Sequence, residues 1–169
     1  MHKQNKLSRF IRHIFSGPWR VRHFFPASAM HNIEAEIQRN EQTHSGEIRF
    51  AVEAALHPLE LMTGKTPRKR ALEVFSELGV WDTEHNNGVL IYLLLADHDV
   101  EIVADRGIHH KVGANGWESI CHEMEAAYRR GEFESGTLMG IRQIGKVLQD
   151  HFPAGDINNN ELPDHPVVF

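Results

Sequence analysis

Apolar and polar residues follow two periods along this chain, one typical of helices and the other of strands. Apolar residues three or four positions apart predict helices near residues 7–15, 28–42, 66–78, 117–131 and 135–149. Alternation over residues 47–53 predicts a strand with its polar positions near solvent, and the apolar run 89–96 predicts a central strand covered on both faces. The turn Asp97-His98-Asp99 then predicts an antiparallel strand over residues 100–104.

The order of these elements predicts an α/β fold, a three-layer α/β/α sandwich with a small mixed β-sheet. A chain of 169 residues favours one domain. We predict a basic aromatic arm over residues 1–27, the folded domain over residues 28–152, and an irregular tail over residues 153–169. We expect Gly113 and Gly116 to mark a link before the fourth helix, and Ser28 to cap the first core helix.

Charge is distributed unevenly along the chain. Residues 1–26 contain six basic side chains and no acid. The remainder of the chain therefore contains twelve basic residues and all 23 acids. Such an arm could dock on a protein partner or an anionic membrane surface, or it could lie against the acidic body of its own chain. Both readings stay open at this point, and no nucleic-acid partner is expected.

Sorting signals and cysteine content suggest the compartment. Arg12 and His13 interrupt the apolar residues of the arm, and the longest apolar run, 89–96, is too short for a membrane span. The lone Cys121 cannot form an intramolecular disulfide. We therefore expect a cytoplasmic protein, peripheral to a membrane if the arm binds lipid.

The best candidate site lies where polar residues and glycines flank two strands. Asn86, Asn87 and Gly88 precede the apolar run 89–96, and Asp105, Arg106, Gly107 and His109 follow the next strand. Ligand sites in mixed sheets form at strand ends, so these seven residues are our candidates for binding a ligand. Asp105 is the candidate catalytic residue, as a general base, a nucleophile or a metal ligand.

Oxygen-bearing side chains around these strand ends suggest a hard cation. Asp82, Asn86 and Asp105 are the candidate ligands, and calcium or magnesium is the divalent cation that such ligands prefer. The alternative is a solvated turn that ends one helix and starts the next strand, with Asn and Gly present because they tolerate left-handed backbone.

Other chemistries find less support. His109, His110, Cys121 and His122 lack the paired spacing of zinc motifs. No GxSxG elbow is present, Gly64-Lys65-Thr66 lacks the earlier glycine of a phosphate loop, and Thr66 is better explained as a helix cap before Pro67. The basic run Arg68-Lys69-Arg70 is typical of a solvated helix face.

Several segments together resemble the TPM domain family, which includes the thylakoid-lumen acid phosphatase and photosystem II repair proteins. These segments are Gly46-Glu47-Ile48, Asn87-Gly88-Val89-Leu90-Ile91, Val100-Glu101-Ile102 and Gly131-Glu132-Phe133-Glu134-Ser135-Gly136. The resemblance covers about residues 28–150. It implies an α/β/α sandwich with a strand-end pocket, calcium binding in some members and weak acid phosphatase activity in a few.

The chain departs from the family pattern at its candidate site. The family's Asp-Asn-Gly is Asn86-Asn87-Gly88 here, and its Gly-x-Gly-Leu-Glu is Asp105-Arg106-Gly107-Ile108-His109. Losing carboxylates weakens a calcium site, because affinity depends on ligand charge. We expect a strand-end pocket that binds a divalent cation and hydrolyses phosphomonoesters, and the alternative is a non-catalytic interaction module that docks through its arm.

Overall fold

The computed structural model describes residues 6–155 and 160–169. Over these ranges the chain forms seven helices and four strands. The helices are α1 (Lys6–Ile14), α2 (Pro18–Phe24), α3 (Ala27–Glu41), α4 (Pro58–Met62), α5 (Pro67–Glu77), α6 (Arg106–Arg129) and α7 (Phe133–His151). The strands are β1 (Ile48–Glu53), β2 (Val89–Leu94), β3 (Asp99–Ala104) and β4 (Val167–Val168).

The strands form one mixed sheet in the order β3-β2-β1-β4. β1 and β2 run parallel with Ile48 opposite Val89, and β2 and β3 run antiparallel with Val89 opposite Ala104. β4 joins the other side of β1 in parallel, so the tail predicted to be irregular ends in a short strand. The antiparallel pairing of β2 with β3 confirms the prediction from the turn between them.

Helices cover both faces of the sheet, which confirms the three-layer α/β/α sandwich. On one face Phe50, Ile91 and Ile102 pack in a core with residues of α3, α6 and α7. On the other face Leu90 and Tyr92 pack against Val74 and Phe75 of α5. The side chains of a strand alternate between its two faces. In β2 the side chains on both faces are buried, as its continuous apolar run predicts.

The prediction that β1 has polar positions near solvent is wrong. All six of its residues are buried, and so is Glu47 just before it. The alternation in the sequence is real, but the second face packs against residues of α5, and Glu53 finds polar partners there in place of water. The Glu53 carboxylate accepts hydrogen bonds from the Tyr92 hydroxyl at 2.6 Å and from Arg70 Nε at 2.9 Å.

Helix starts were predicted with mixed success. Thr66 caps α5 as predicted, and its side chain accepts a hydrogen bond from the Lys69 N–H. α3 begins one residue before Ser28, with Pro26 at the cap position. The predicted glycine link is confirmed at Gly113, whose φ of 73° is non-helical and separates two segments of α6. The segment before it, which starts at Arg106, was not predicted.

The glycines of α7 permit close packing against two neighbouring helices. A Cβ atom on Gly136 would lie 2.8 Å from the Cβ of Ala127 on α6, and a Cβ on Gly145 would clash with Asn40 of α3. The glycines therefore let α7 lie close to both neighbouring helices.

The arm lies against its own domain. Asp97, in the turn between β2 and β3, accepts a hydrogen bond from Arg9 Nε at 2.8 Å and from Arg12 Nη2 at 3.2 Å. His13 Nε2 is 3.2 Å from the same carboxylate, and its Nδ1 accepts from the Leu56 N–H. Burial raises the pKa of Asp97, but the hydrogen bonds from His13 and Arg9 outweigh that effect and lower it.

The second helix of the arm belongs to the core. Val21 of α2 and Phe25 just after it are 2% exposed and pack with Phe50 and Phe133. Neither α2 nor the short α4 was predicted, because seven and five residues are too few to establish a helical period.

Buried acids lie where β1 begins. Glu41 Oε1 accepts from the Ile48 N–H at 2.9 Å, and the Glu47 carboxylate accepts from the backbone N–H groups of Glu161 and Leu162. Burial raises the pKa of Glu41 to about 9, and the nearby acids Glu47 and Asp164 add to the shift. Glu41 is therefore protonated in the folded protein at neutral pH.

We expect Asp97→Asn to destabilise the protein by about 1–3 kcal/mol, since Arg9 and Arg12 lose a buried counter-charge and His13 loses a charged hydrogen-bond partner. Urea unfolding measures the loss, and hydrogen exchange should show faster opening of α1. Asp150→Asn, at an exposed acid of α7, is the control. Equal stability of the two variants would contradict a role for Asp97 in holding the arm.

We expect Glu41→Gln to remove part of the pH dependence of stability. The pKa of Glu41 in the folded state lies above its unfolded value of about 4.3, so the protonated carboxyl contributes its full stability only below that pH. This stability is lost as pH rises toward the folded pKa, about 9. Glutamine keeps the acceptor for Ile48 and carries no charge, so the variant should match the parent at about pH 4 and exceed it at pH 8 by up to about 5 kcal/mol. Parallel curves of unfolding free energy against pH would contradict this assignment.

Candidate functional site

A groove opens at the end of β3, between α5 and the start of α6. Its main cavity has a volume of about 450 Å³ and an apolar wall that includes Leu72, Phe75 and Trp81. Four polar side chains line the rest: Arg68, Asp105, Arg106 and His109. Three of the predicted site residues, Asp105, Arg106 and His109, thus lie together around one cavity.

Asp105 connects the sheet to α6. Its N–H donates to the Gly88 carbonyl at 2.9 Å, which continues the pairing of β3 with β2 by one residue. As the cap of α6, its Oδ1 accepts a hydrogen bond from the Arg106 N–H at 2.6 Å. Oδ2 is buried and has no hydrogen-bond partner within residues 6–155 and 160–169. A buried acceptor without a donor costs free energy. A ligand that donates a hydrogen bond to Oδ2 would therefore bind more tightly.

Gly107 permits a close approach, and the approaching group is the chain's own backbone. A Cβ atom on residue 107 would lie 2.5 Å from the Asn86 carbonyl oxygen and 2.9 Å from that of His85. The Asn86 carbonyl accepts from the Ile108 N–H at 3.3 Å, and Asn86 itself adopts left-handed backbone with φ of 52°. The turn before β2 therefore supports the first turn of α6.

Asn87 and Gly88 lie inside the fold, away from the cavity wall. Asn87 is fully buried, and its Nδ2 donates to the Ser45 carbonyl at 3.0 Å. Its N–H donates to Thr83 Oγ1 at 3.1 Å. A Cβ on Gly88 would clash with the Val80 carbonyl oxygen. The contacts of both residues hold the 80–88 loop to the sheet.

The groove does not fit the calcium ion that the family resemblance implies. Asp82 is exposed in the loop before β2 and does not line the cavity. Within the described ranges, no three or more His, Cys, Asp or Glu side chains are grouped where they could hold a metal ion. Asp105 is the one carboxylate of the main cavity and shares it with two arginines, whereas calcium prefers several anionic oxygens.

A second cavity of about 330 Å³ extends the groove along α6. It shares Arg68 and His109 with the first and is also lined by Glu101, Trp117, Glu118 and Cys121. Arg68 Nη1 donates to the Ile102 carbonyl at 2.7 Å and lies 3.4 Å from Glu101. Burial raises the pKa of Glu101 in spite of Arg68. We call the two cavities together the α5–β3–α6 groove.

Cys121 is unsuited to nucleophilic chemistry in this groove. Burial raises the pKa of its thiol to about 12, so the reactive thiolate is scarce at neutral pH. Trp117 is 4% exposed, and its Nε1 has no hydrogen-bond partner in the described part of the chain. The second cavity therefore offers a buried donor in place of a nucleophile.

Sequence reasoning missed three residues of the groove, Arg68, Trp81 and Trp117. Arg68 was assigned to a solvated basic run because nothing in the sequence reveals that α5 lies beside β3. Trp117 was identified only as part of an apolar helix face. Only the tertiary arrangement brings these side chains to the end of β3.

A mixed four-stranded sheet between helical layers, with a groove at a strand end, defines an α/β/α sandwich domain. The sequence profile of the TPM domain family matches residues 21–147, and the chain belongs to this family. No curated protein matches it. Within the described ranges no helix is long and apolar enough to cross a membrane.

Several solved structures resemble the chain, and two of them follow. The BA42 protein of the psychrophilic bacterium Bizionia argentinensis is 29% identical with a TM-score of 0.76, and the match covers 86% of this chain and 96% of that one. The N-terminal domain of a protein from P. gingivalis is 18% identical with a TM-score of 0.58, covering 78% of this chain and 83% of that one. The second likeness concerns the fold alone.

We expect Gly107→Ala to destabilise the protein by about 1–3 kcal/mol, although alanine favours helix formation. The added methyl group would force α6 away from the turn at His85 and Asn86. Chemical denaturation measures the loss. Gly116→Ala is the control, because the atoms near a Cβ there belong to the Val112 side chain, which can turn. A loss no greater than that of the control would contradict the close contact.

Proposed function

We propose that this TPM domain binds a phosphomonoester in the α5–β3–α6 groove and hydrolyses it slowly. The observation that carries the proposal is the Asp105 carboxylate, buried with one oxygen unpaired, beside the exposed Arg106 and His109 at one cavity. The family resemblance, which implies weak acid phosphatase activity in a few members, supports the choice of reaction.

Two arginines favour an anion in the main cavity. The Arg106 side chain is exposed and makes no ion pair with any residue in the described ranges, and Arg68 lines the same wall. A guanidinium group presents paired N–H donors that match the oxygens of a phosphate. The apolar wall of Leu72, Phe75 and Trp81 suits the organic part of the ester.

Asp105 and His109 would supply proton transfer. In the proposed reaction a water molecule attacks phosphorus and gives a proton to the Asp105 carboxylate as the new P–O bond forms. The bond between phosphorus and the ester oxygen breaks, and a protonated His109 gives a proton to the leaving alkoxide. No metal ion takes part in these steps. General acid–base catalysis of this kind contributes about 10²–10⁴-fold to a rate.

We expect Asp105→Asn to lower the hydrolysis of para-nitrophenyl phosphate by at least about 100-fold. The amide keeps an acceptor for the Arg106 N–H, so α6 should retain its cap. Inorganic phosphate should bind at least as tightly, since a negative charge is removed beside the anion. Parental hydrolysis by the variant, or none by the parent protein, would refute the catalytic part of the proposal.

A second variant tests binding separately. Arg106→Gln should weaken the binding of inorganic phosphate about tenfold, measured by calorimetry and by the rise in melting temperature with phosphate. Arg129→Gln, at an exposed arginine near the other end of α6, is the matched control. Equal phosphate affinity in the two variants would place the anion outside this groove.

A further inference from the structure

The first helix of the chain turns its apolar side outward. At about 100° per residue, Leu7, Ile11, Ile14 and Phe15 fall on one side of α1. Their exposed fractions are 63%, 46%, 54% and 73%. A helix that packs on its own domain ordinarily buries this side, so α1 is arranged in reverse.

The charged side of the same helix faces the domain. Arg9 and Arg12 donate to Asp97, and His13 lies buried beside that carboxylate. Arg9 Nη1 also donates to the Lys65 carbonyl at 3.3 Å. These contacts fix the orientation of α1 and keep its apolar residues outward.

Neighbouring elements also expose apolar side chains. α4 packs beside α1 and exposes Leu59 at 64% and Met62 at 75%, and α2 exposes Trp19 at 63%. We call these three residues, together with Leu7, Ile11, Ile14 and Phe15, the arm surface. Side chains three and four positions apart are neighbours on a helix, so the outward side of α1 is an apolar patch, and soluble monomers rarely expose a large one without a binding role.

Charge distinguishes the occupants that could cover this surface. Residues 1–26 contain six basic residues and no acid, and Arg22 of α2 is exposed. Two acids near the arm are already engaged, Asp97 by the arm itself and Glu60 by Lys65 at 2.7 Å. A second copy facing the first would bring two such positive segments together, which like-charge repulsion disfavours.

We propose that the arm surface docks this protein on an anionic lipid surface. Tryptophan, phenylalanine and branched aliphatic side chains enter the boundary between headgroups and acyl chains, while arginines meet anionic headgroups. The remainder of the chain is acidic, with twelve basic residues and 23 acids. The same lipid surface repels it, which orients the domain away from the membrane. The family match begins at residue 21, so α1 is a feature of this chain outside the matched segment.

Co-sedimentation of the full chain with vesicles tests the proposal. Vesicles of phosphatidylcholine with phosphatidylglycerol should bind the protein at least about tenfold more tightly than phosphatidylcholine alone, and added salt should weaken this binding. Ile11→Ser should weaken it about tenfold, because one apolar side chain no longer enters the lipid. Leu72→Ser is the matched control, since Leu72 on α5 is 47% exposed against 46% for Ile11.

Charge reversal provides a second variant with an intact apolar side. Arg22→Glu should weaken binding to the anionic vesicles about tenfold or more and leave melting temperature unchanged. Failure to bind phosphatidylglycerol vesicles, equal binding to both kinds of vesicle, or parental binding by Ile11→Ser would each overturn the proposal. A dimer in sedimentation velocity that Ile11→Ser dissociates, without vesicle binding, would assign the arm surface to a second copy.

Discussion

Burial of β1 and β2 on both faces is the constraint on which the rest of this structure depends. It removes water from the polar side chains of β1, which then need partners inside the protein. Arg49 Nε and Nη1 are buried without a hydrogen-bond partner in the described ranges, whereas Glu53 has partners. Glu53 accepts hydrogen bonds from Tyr92 and Arg70. Arg70 also forms an ion pair with Glu77, and its guanidinium lies 5.1 Å from the ring centre of Phe169. Burial raises the pKa of Tyr92, so its hydroxyl keeps the proton that it donates to Glu53. A line of polar contacts thus joins the centre of the sheet to the last residue of the chain.

The same constraint moves the remaining chemistry to the ends of the strands. β3 has six residues, so its ends lie about 20 Å apart. Asp97 lies in the turn before the strand, and Asp105 follows its last residue. Asp97 at one end is surrounded by three basic side chains of the arm and serves to hold the fold together. Asp105 at the other end keeps one oxygen unpaired beside an open cavity, which suits it to a ligand. The arm surface and the groove therefore occupy opposite ends of one strand.

Patterns with a local physical cause were predicted well from the sequence. Thr66 and Pro67 start a helix through their own backbone chemistry, and residues 89–94 form a central strand because their apolar run suits burial on both faces. Features decided by distant contacts were not predictable. Alternation in β1 looked solvent-exposed because α5, which covers it, is remote in sequence. The break at Gly113 was predicted, but the helical segment from Arg106 up to it has too few apolar residues in period to be recognised.

The candidate site divides in the same way. Asp105, Arg106 and His109 are close in sequence on one turn of helix, so their grouping followed from predicting the end of β3. Gly107 was predicted to bind a ligand, whereas the tertiary structure places the turn at Asn86 against it. Arg68 and Trp81 come from another element and its following loop, and no local pattern connects them with Asp105.

Departures from the family pattern now have a physical meaning. With an amide at residue 86 and an imidazole at residue 109, two carboxylates are replaced, and the acid at residue 105 is partly engaged as a helix cap. The main cavity then contains two guanidinium groups, one imidazole and one carboxylate, a set whose charge favours an anion over a divalent cation. The proposed phosphate ester would suit this cavity, because its oxygens can accept hydrogen bonds from the arginines and the attacking water can donate one to Asp105. The altered residues thus favour ligand binding without the metal ion.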